Sequence, residues 1–152
     1  MKEVSGDLWD TSVTLGADAV AITTNGYVKK NGEAVMGRGV AREAARRWPV
    51  LPRLLGDVLR FIDNCVFKLY QPPDFPLLVS YPVKHNWWEP ADMRLIRSSA
   101  KDLRDMADEM KWTVVVLPRP GCGNGRLDWK DVRPVLAPYL DDRFVVVYKE
   151  DK

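Results

Sequence analysis

The stretch from residue 112 to residue 136, WTVVVLPRPGCGNGRLDWKDVRPVL, constrains the fold of this chain more than any other. It opens on an apolar, β-branched run at 113–117, which is typical of a strand buried on both faces of a parallel sheet. Two prolines then end the strand, and a glycine-rich loop follows at 121–125. Asp128 offers the N-cap of a helix. This order of strand, loop and helix start directs backbone N–H groups at a phosphate, although an ordinary glycine turn before a surface helix is the alternative.

The composition indicates one globular domain without a zinc cluster or a disulfide framework. Of the 152 residues, 46% are hydrophobic, and 23 basic against 21 acidic residues leave a net charge of +2. This near balance argues against a protein whose main task is to grip duplex nucleic acid. Two cysteines and one histidine are too few for a metal or disulfide framework. Because neither a signal peptide nor a membrane-spanning run is recognised, we expect a cytoplasmic protein with no membrane partner. We also expect a monomer.

Strand-like and helix-like stretches alternate along the chain. We predict strands at 2–8, 17–23, 65–70, 77–81, 113–117 and 144–148, and helices from about Gly39 to just before Pro49, at 51–61, at 91–110 and after Asp128. Pro134 falls in the last helical pattern, so that helix is expected to start late or to kink. The alternation predicts an α/β fold, a three-layer α/β/α sandwich with a mixed, mostly parallel sheet, in one domain over residues 1–152.

Three candidate functional stretches fall at the carboxyl ends of predicted strands. They are Thr24-Asn25, Pro82-Val83-Lys84 and the residues 118–126. Ligands of such folds bind beyond the carboxyl ends of the strands, so we expect the three loops to converge on one crevice.

The loop after the second predicted strand ends in Gly37-Arg38-Gly39, at a helix start. This is a second backbone nest of the kind that binds anions, although close helix packing is the alternative reason for the glycines. The full GxGxxG spacing of a dinucleotide fingerprint is missing. Two nests at one crevice suit a diphosphate. Asn25 is either a turn residue or a hydrogen-bond partner of a sugar hydroxyl.

Lys84 lies where an apolar strand leaves the sheet. If the loops converge, it is partly desolvated and close to Arg38 or Arg126, and both effects lower the pKa of its ammonium group. The freed amine is a nucleophile that can form a Schiff base with an aldehyde carbon. From the residues alone, a solvated surface lysine is the alternative.

Three further positions have open interpretations. His85 suits a surface or capping role as well as proton transfer. Of Trp87 and Trp88, one suits the core and the other suits a lid or a stacking partner for a base. Asp7 is either a turn or cap residue or an acceptor for an exocyclic amine such as that of adenine.

Four motifs together resemble the macro domain family. They are Gly6-Asp7-Leu8, Asn25, VMGRGVA at 35–41 and PGCGNGRLDW at 120–129. The resemblance spans nearly the whole chain and implies an ADP-ribose pocket in a three-layer α/β/α fold. It implies that Asp7 holds the adenine amine, that Asn25 lies beside the distal ribose and that the two glycine loops wrap the diphosphate and the distal ribose. The implied ligand contacts are Asp7, Leu8, Thr24, Asn25, Met36, Gly37, Arg38, Gly39, Val40, Pro120, Gly121, Cys122, Gly123, Asn124, Gly125 and Arg126.

Within that family, the chain resembles the branch that contains the terminal ADP-ribose glycohydrolase and the DNA ADP-ribosyl glycohydrolase antitoxins. That branch uses a lysine in a Pro-x-Lys context after a strand, which Pro82-Val83-Lys84 matches. The protein-directed member also has a catalytic aspartate in the glycine loop, at the position of Gly125 here. Asp128 lies three residues further on and resembles a helix cap. The resemblance therefore implies a mechanism centred on Lys84.

The function implied by the resemblance is an ADP-ribosyl hydrolase that removes mono-ADP-ribose from a macromolecule, with Lys84 as its catalytic residue. A DNA base and an acidic side chain of a protein are the two candidate substrates. ADP-ribose is the ligand and product, no metal or other cofactor is implied, and a cognate ADP-ribosyltransferase is an expected partner. Two alternatives use the same loops: a reader module that binds ADP-ribose without chemistry, and a phosphatase that acts on ADP-ribose 1″-phosphate.

Overall fold

Strands and helices alternate along the chain in the computed structural model, which describes residues 1–150. In chain order they are β1 (Lys2–Ser5), α1 (Leu8–Thr14), β2 (Ala19–Thr24), α2 (Gly39–Arg47), α3 (Leu51–Phe61), β3 (Phe67–Tyr70), β4 (Leu77–Pro82), α4 (Met93–Met110), β5 (Val115–Pro118), α5 (Trp129–Leu136) and β6 (Phe144–Tyr148). A 3₁₀ turn, Gly123–Gly125, precedes α5. None of the described helices combines the length and the apolar character that crossing a membrane requires.

The six strands form one sheet in the order β1-β6-β5-β2-β4-β3. All neighbours are parallel except β3 and β4, which pair antiparallel at one edge. The predicted mixed, mostly parallel sheet is therefore confirmed. In this order β2 lies between β5 and β4, so the three strand ends with predicted functional residues are neighbours.

The side chains of the sheet divide between two cores, which makes the fold three-layered. In β2, Ala19 and Ala21 pack with α4 and α5, whereas Val20 and Ile22 pack with α1, α2 and α3. This alternation follows from the two-residue period of a strand. All four side chains are fully buried. A strand covered on both faces explains why the sequence reads as a continuous apolar run there.

The N-terminal prediction was wrong in one respect, because residues 2–8 are not a single strand. The strand β1 ends at Ser5, and a short helix that the sequence analysis missed begins at Leu8. Asp7 is its N-cap, and one carboxylate oxygen accepts a 2.9 Å hydrogen bond from the backbone N–H of Asp10. The helix has seven residues, too few for the apolar period to stand out, and it is held by burial of Leu8 and Trp9.

Two prolines lie within elements of the structure. The strand β5 ends at Pro118, so the predicted end of the strand at a proline is confirmed, although Pro118 still pairs in register with Val147 of β6. Pro134 lies inside α5, which nevertheless starts at Trp129. Asp128 occupies the N-cap position of α5, as predicted, but its side chain makes no capping hydrogen bond.

The long loop between β2 and α2 packs closely against the backbone of α3. The backbone N–H of Ala34 donates a 2.8 Å hydrogen bond to the carbonyl of Pro52. Gly56 of α3 faces the same loop, and a Cβ atom there would overlap the carbonyl oxygen of Gly32. The missing side chain at Gly56 therefore lets the loop approach the helix.

This contact generates the first prediction. We expect Gly56→Ala to lower the free energy of unfolding by about 2 kcal/mol, because overpacking against backbone outweighs the roughly 1 kcal/mol that alanine adds to helix stability. Urea unfolding monitored by circular dichroism measures the change. The matched control is Gly37→Ala, since a Cβ at Gly37 has no atom within 4 Å. Equal stability of the two variants would contradict the packing role of Gly56.

Candidate functional site

A cavity of about 720 Å³ opens at the carboxyl edge of the sheet. The residues after β2, β4 and β5 all contribute to its wall, so the three predicted loops do converge on one crevice. Among the implied ligand contacts, the cavity is lined by Asp7, Leu8, Thr24, Asn25, Gly37, Arg38, Gly39, Val40, Gly121, Cys122, Gly123, Asn124 and Gly125. Lys84 lines it as well.

Three of the implied contacts lie outside this lining set. Met36 and Pro120 are buried, and Met36 packs into the core on the side of α2 and α3. Arg126 is exposed and has a left-handed backbone conformation, with φ of 65°. Sequence alone does not separate these positions from their neighbours, because each lies within two residues of a residue that does line the cavity.

The two glycine loops meet across the cavity. A Cβ atom on Gly39 would lie 3.1 Å from Nδ2 of Asn124 in the other loop. Gly39, Gly121 and Gly123 all have positive φ, at 58°, 78° and 68°. Left-handed residues of this kind are a component of the backbone nests that bind anions.

The N-terminus of α2 is open toward the same space. Its N-cap residue is Arg38, and no side chain caps the first N–H groups. Gly39, Val40 and Ala41, which begin the helix, all line the cavity. Uncapped N–H groups together with the helix dipole and the Arg38 charge favour an anion at this place.

The backbone around Lys84 is held by contacts from three directions. The carbonyl of Lys84 accepts a 3.1 Å hydrogen bond from Nδ2 of Asn64. The neighbouring Val83 donates to the carbonyl of Thr24 at 3.0 Å and accepts from the N–H of Asp92 at 2.8 Å. These bonds attach the segment after β4 to both β2 and the start of α4. The direction in which the chain leaves the sheet at Lys84 is therefore fixed by hydrogen bonds.

The amine of Lys84 lies between two backbone carbonyls. Its Nζ is 3.2 Å from the carbonyl oxygen of Asn124 and 3.4 Å from that of Trp87, and it donates to both. Partial burial, followed by the charges of Arg126 and Arg38, lowers the pKa of this ammonium group below its ordinary value. The predicted depression and its causes are therefore present in the structure.

Asn25 stabilises the loop between β2 and α2, which we call the first loop. Its Nδ2 donates to the carbonyl of Val35 at 3.0 Å, and its Oδ1 accepts from the N–H of Tyr27 at 3.0 Å. One donor of the amide remains beside the cavity. The adjacent Thr24 lines the cavity, and its hydroxyl is buried without a hydrogen-bond partner among the described residues.

The other end of the cavity is formed by the ends of β1 and β6. Asp7 lies there, and its capping bond to Asp10 engages one of its two oxygens. Val147, Tyr148 and Lys149 line this end and were not predicted. The rule that ligands bind at carboxyl ends of strands applies to β6 too, but only the sheet order shows that β6 adjoins β5.

Further lining residues escaped the sequence analysis because they lie inside the first loop or on a helix. Tyr27 and Lys29 belong to the loop, and Glu43 belongs to α2. Oε1 of Glu43 accepts a 3.2 Å hydrogen bond from the indole N–H of Trp9. No motif marks these three positions.

The imidazole of His85 and the thiol of Cys122 lie near the site, and the surroundings of each are described by a hydrogen bond or by burial. Nε2 of His85 is 2.8 Å from the carboxylate of Asp92, the N-cap of α4, and this bond lowers the pKa of Asp92. Burial raises the pKa of the Cys122 thiol, which keeps it protonated. Within residues 1–150, no three His, Cys, Asp or Glu side chains form a group that could hold a metal.

No protein-family model matches the chain. The chain is 28% identical over 152 residues to the DNA ADP-ribosyl glycohydrolase of Mycobacterium tuberculosis, a match that includes 95% of the chain and 40% of the relative. The chain thus spans about 40% of the length of this curated relative.

Solved structures share this fold over nearly the whole length of the chain. The macrodomain of Mycobacterium tuberculosis DarG has a TM-score of 0.80 and 28% sequence identity, with 99% of this chain and 97% of that one covered. Thermosipho africanus DarTG, solved in complex with ADP-ribose, has a TM-score of 0.75 at 18% identity, with coverage of 99% and 42%. The chain therefore has the macrodomain fold, and its sequence is similar to proteins named DNA ADP-ribosyl glycohydrolase.

Proposed function

We propose that this chain is an ADP-ribosyl hydrolase that releases ADP-ribose from ADP-ribosylated DNA, with Lys84 as the catalytic residue. The observation that carries the proposal is the place of the Lys84 amine, on the cavity wall between the two glycine loops and 3.2 Å from the carbonyl of Asn124. The choice of DNA is supported by the similarity to relatives that are named DNA ADP-ribosyl glycohydrolases.

The shape and charge of the cavity suit ADP-ribose in one orientation. The two nests and the open N-terminus of α2 would take the diphosphate near the middle of the cavity. The adenine would then lie at the end formed by Asp7 and Tyr148, where a carboxylate oxygen is free to accept from its amine. The distal ribose would lie at the opposite end, next to Lys84 and Asn124.

A neutral amine at Lys84 is suited to attack. It has two N–H groups and one lone pair, and the carbonyls of Trp87 and Asn124 can accept both N–H groups. The lone pair then remains for C1″ of the distal ribose. In the proposed step a C1″–Nζ bond forms while the bond from C1″ to the base breaks, and the base leaves with the electron pair and takes a proton. Water then cleaves the C1″–Nζ bond, which restores the amine and releases ADP-ribose.

The acidic side chains of the cavity do not offer a second catalytic group beside Lys84. Among the described lining residues, the carboxylates belong to Asp7, at the far end, and to Glu43, which is bonded to Trp9. Asp128 is exposed at the N-cap of α5 and lies outside the lining set. A mechanism that uses Lys84 without an aspartate partner is consistent with this distribution.

Replacement of Lys84 tests the proposal directly. We expect Lys84→Ala to lower kcat for release of ADP-ribose from modified DNA by about 100-fold or more, the scale on which loss of a catalytic side chain is felt, while the Kd for ADP-ribose stays within a few-fold. Chromatographic detection of free ADP-ribose and calorimetry measure the two quantities.

Two control variants sharpen this test. Lys84→Arg keeps the positive charge but removes the nucleophile, so it should lose turnover as Lys84→Ala does. Lys68→Ala removes an exposed lysine on β3 and should leave kcat unchanged. Full turnover by Lys84→Ala would reject the catalytic role. Binding of ADP-ribose by the wild type without any release would identify a reader module, and phosphate release from ADP-ribose 1″-phosphate alone would identify a phosphatase.

The lowered pKa of Lys84 generates a prediction about pH. Because the neutral amine is the reactive form, kcat/KM should rise with pH through the pKa of Lys84, at lower pH than an ordinary lysine would give. Arg126→Gln removes one of the charges that depress this pKa, so the rise should move to higher pH.

The control variant is Arg126→Lys, which keeps the charge and should leave the midpoint of the rise in place. The measurement is the pH profile of kcat/KM for the wild type, Arg126→Gln and Arg126→Lys. An unchanged midpoint in Arg126→Gln would show that the profile reports a different group.

A further inference from the structure

Two arginine side chains of α3 converge on one point of the first loop. A Cβ atom on Gly32 would lie 2.8 Å from Nη1 of Arg53 and 2.8 Å from Nη1 of Arg60. Both arginines are exposed, whereas Gly32 is buried. Because like charges repel each other, two guanidinium groups at one point are stabilised by an anion that both of them contact. We name Arg53 and Arg60 the arginine pair.

The protein itself does not supply that anion. Among residues 1–150, the arginines that form ion pairs with carboxylates are Arg104, Arg119, Arg133 and Arg143. Asp57 lies on α3 four residues after Arg53 and three before Arg60, a spacing at which helical ion pairs are common, yet it pairs with neither. The arginine pair is therefore open to an anion from outside the chain.

The turn that contains Gly32 extends this basic surface to the cavity. Lys29 and Lys30 precede Gly32 in the turn, and both are exposed. The N–H of Gly32 donates to the carbonyl of Lys29 at 2.9 Å, which closes the turn. The carboxylate of Glu33 accepts a 2.9 Å hydrogen bond from Nδ2 of Asn31. Since Lys29 also lines the cavity, positive charge continues from the arginine pair to the cavity wall.

The end of α3 lies close to Lys84. Asn64, four residues after Arg60, donates from Nδ2 to the carbonyl of Lys84 at 3.1 Å. The first loop approaches the same segment, because the N–H of Gly26 donates to the carbonyl of His85 at 3.1 Å. In the orientation proposed for ADP-ribose, the arginine pair is therefore on the side of C1″ and not on the side of the adenine.

The chemistry of the arginine pair favours a phosphate as its ligand. A guanidinium group presents its N–H donors in a planar fork that matches the oxygens of a phosphate, and two such groups can share one phosphate. The diphosphate of ADP-ribose would lie inside the cavity, at the two nests. A DNA strand whose modified base is bonded to C1″ has further phosphates, and these lie outside the cavity on the side of Lys84.

We propose that Arg53 and Arg60 together bind one phosphodiester group of the DNA strand that carries the ADP-ribosylated base. This inference rests on the proposed function and deepens it, because it adds a contact with the strand outside the ADP-ribose cavity. A phosphate contact positions a strand without reading its sequence. The arginine pair strengthens the binding of modified DNA and takes no part in the chemical step at Lys84.

The first arm of the test compares two substrates. One is an ADP-ribosylated base within an oligodeoxynucleotide, and the other is the same ADP-ribosylated nucleoside, which has no phosphodiester group. The double variant Arg53→Gln/Arg60→Gln should lower kcat/KM on the oligonucleotide about tenfold, mainly through a higher KM, because a charge-assisted phosphate contact is lost. It should leave kcat/KM on the nucleoside unchanged.

Two further double variants are the controls. Arg97→Gln/Lys101→Gln makes the same change in net charge at exposed residues of α4, which packs on the opposite face of the sheet from α3. It should leave kcat/KM on both substrates near the wild-type value. Arg53→Lys/Arg60→Lys should recover part of the loss, because the charges stay while the planar forks are removed. Urea unfolding checks that each variant is folded.

The second arm measures binding without turnover. A fluorescein-labelled, unmodified oligodeoxynucleotide is titrated at several concentrations of potassium chloride and followed by anisotropy. The slope of log Kd against log salt should be smaller in Arg53→Gln/Arg60→Gln by about 0.7 to 0.9, the value for one phosphate contact. Equal slopes for the wild type and this variant would overturn the proposal.

Inorganic phosphate tests whether the arginine pair binds a free anion instead of a strand. Added phosphate should raise the Tm of the wild type and of Arg53→Gln/Arg60→Gln by the same amount, since the nests are intact in both. A rise in Tm that requires the two arginines would assign the arginine pair to a free anion and overturn the strand contact.

The remaining outcomes separate this inference from the proposed function. An equal loss of kcat/KM on the oligonucleotide and the nucleoside, with a lower free energy of unfolding, would show that the two arginines only pack the first loop against α3, and it would overturn the proposal while the hydrolase stands. A smaller salt slope in the double variant, without any release of ADP-ribose by the wild type, would reject the hydrolase and keep the arginine pair as a DNA contact.

Discussion

The parallel pairing of β2 with both β4 and β5 is the constraint on which the site depends. Parallel neighbours place their carboxyl ends at one edge, so the loop after each strand starts from the same side of the molecule. The pairing requires helices on both faces, and the buried residues of β2 contact both helical layers. A cavity wall assembled from three loops that are distant in the sequence follows from this arrangement.

The chemistry of Lys84 arises from its surroundings more than from its residue type. Its amine is half-buried against carbonyls of two loops, and two arginines from different loops repel the proton. The same arginine charges that depress the pKa also favour a bound diphosphate. An anion binding at this place would partly neutralise these charges, so anion binding would raise the pKa of the Lys84 ammonium group.

The first loop shows how stability elsewhere supports the site. It carries Tyr27 and Lys29 to the cavity, and it is held by the amide of Asn25 and by its contact with α3 at Gly56. The bonds of Asn25 lie within the loop, whereas the contact at Gly56 joins it to the helical layer. The position of Tyr27 on the cavity wall is therefore set by packing as well as by hydrogen bonds.

The local pattern of residues was enough to predict most elements, the two glycine loops and the exit of Lys84 from a strand, because strand and helix periods and glycine loops are short-range features. Leu8–Thr14 was missed since seven residues carry little periodicity. Only the tertiary structure decided that β6 adjoins β5, that Asn25 bonds its own loop and that Trp87 and Trp88 stay exposed beside the lysine. The physical reason is that strand order, burial and pKa depend on residues far apart in the chain, and no local window contains them.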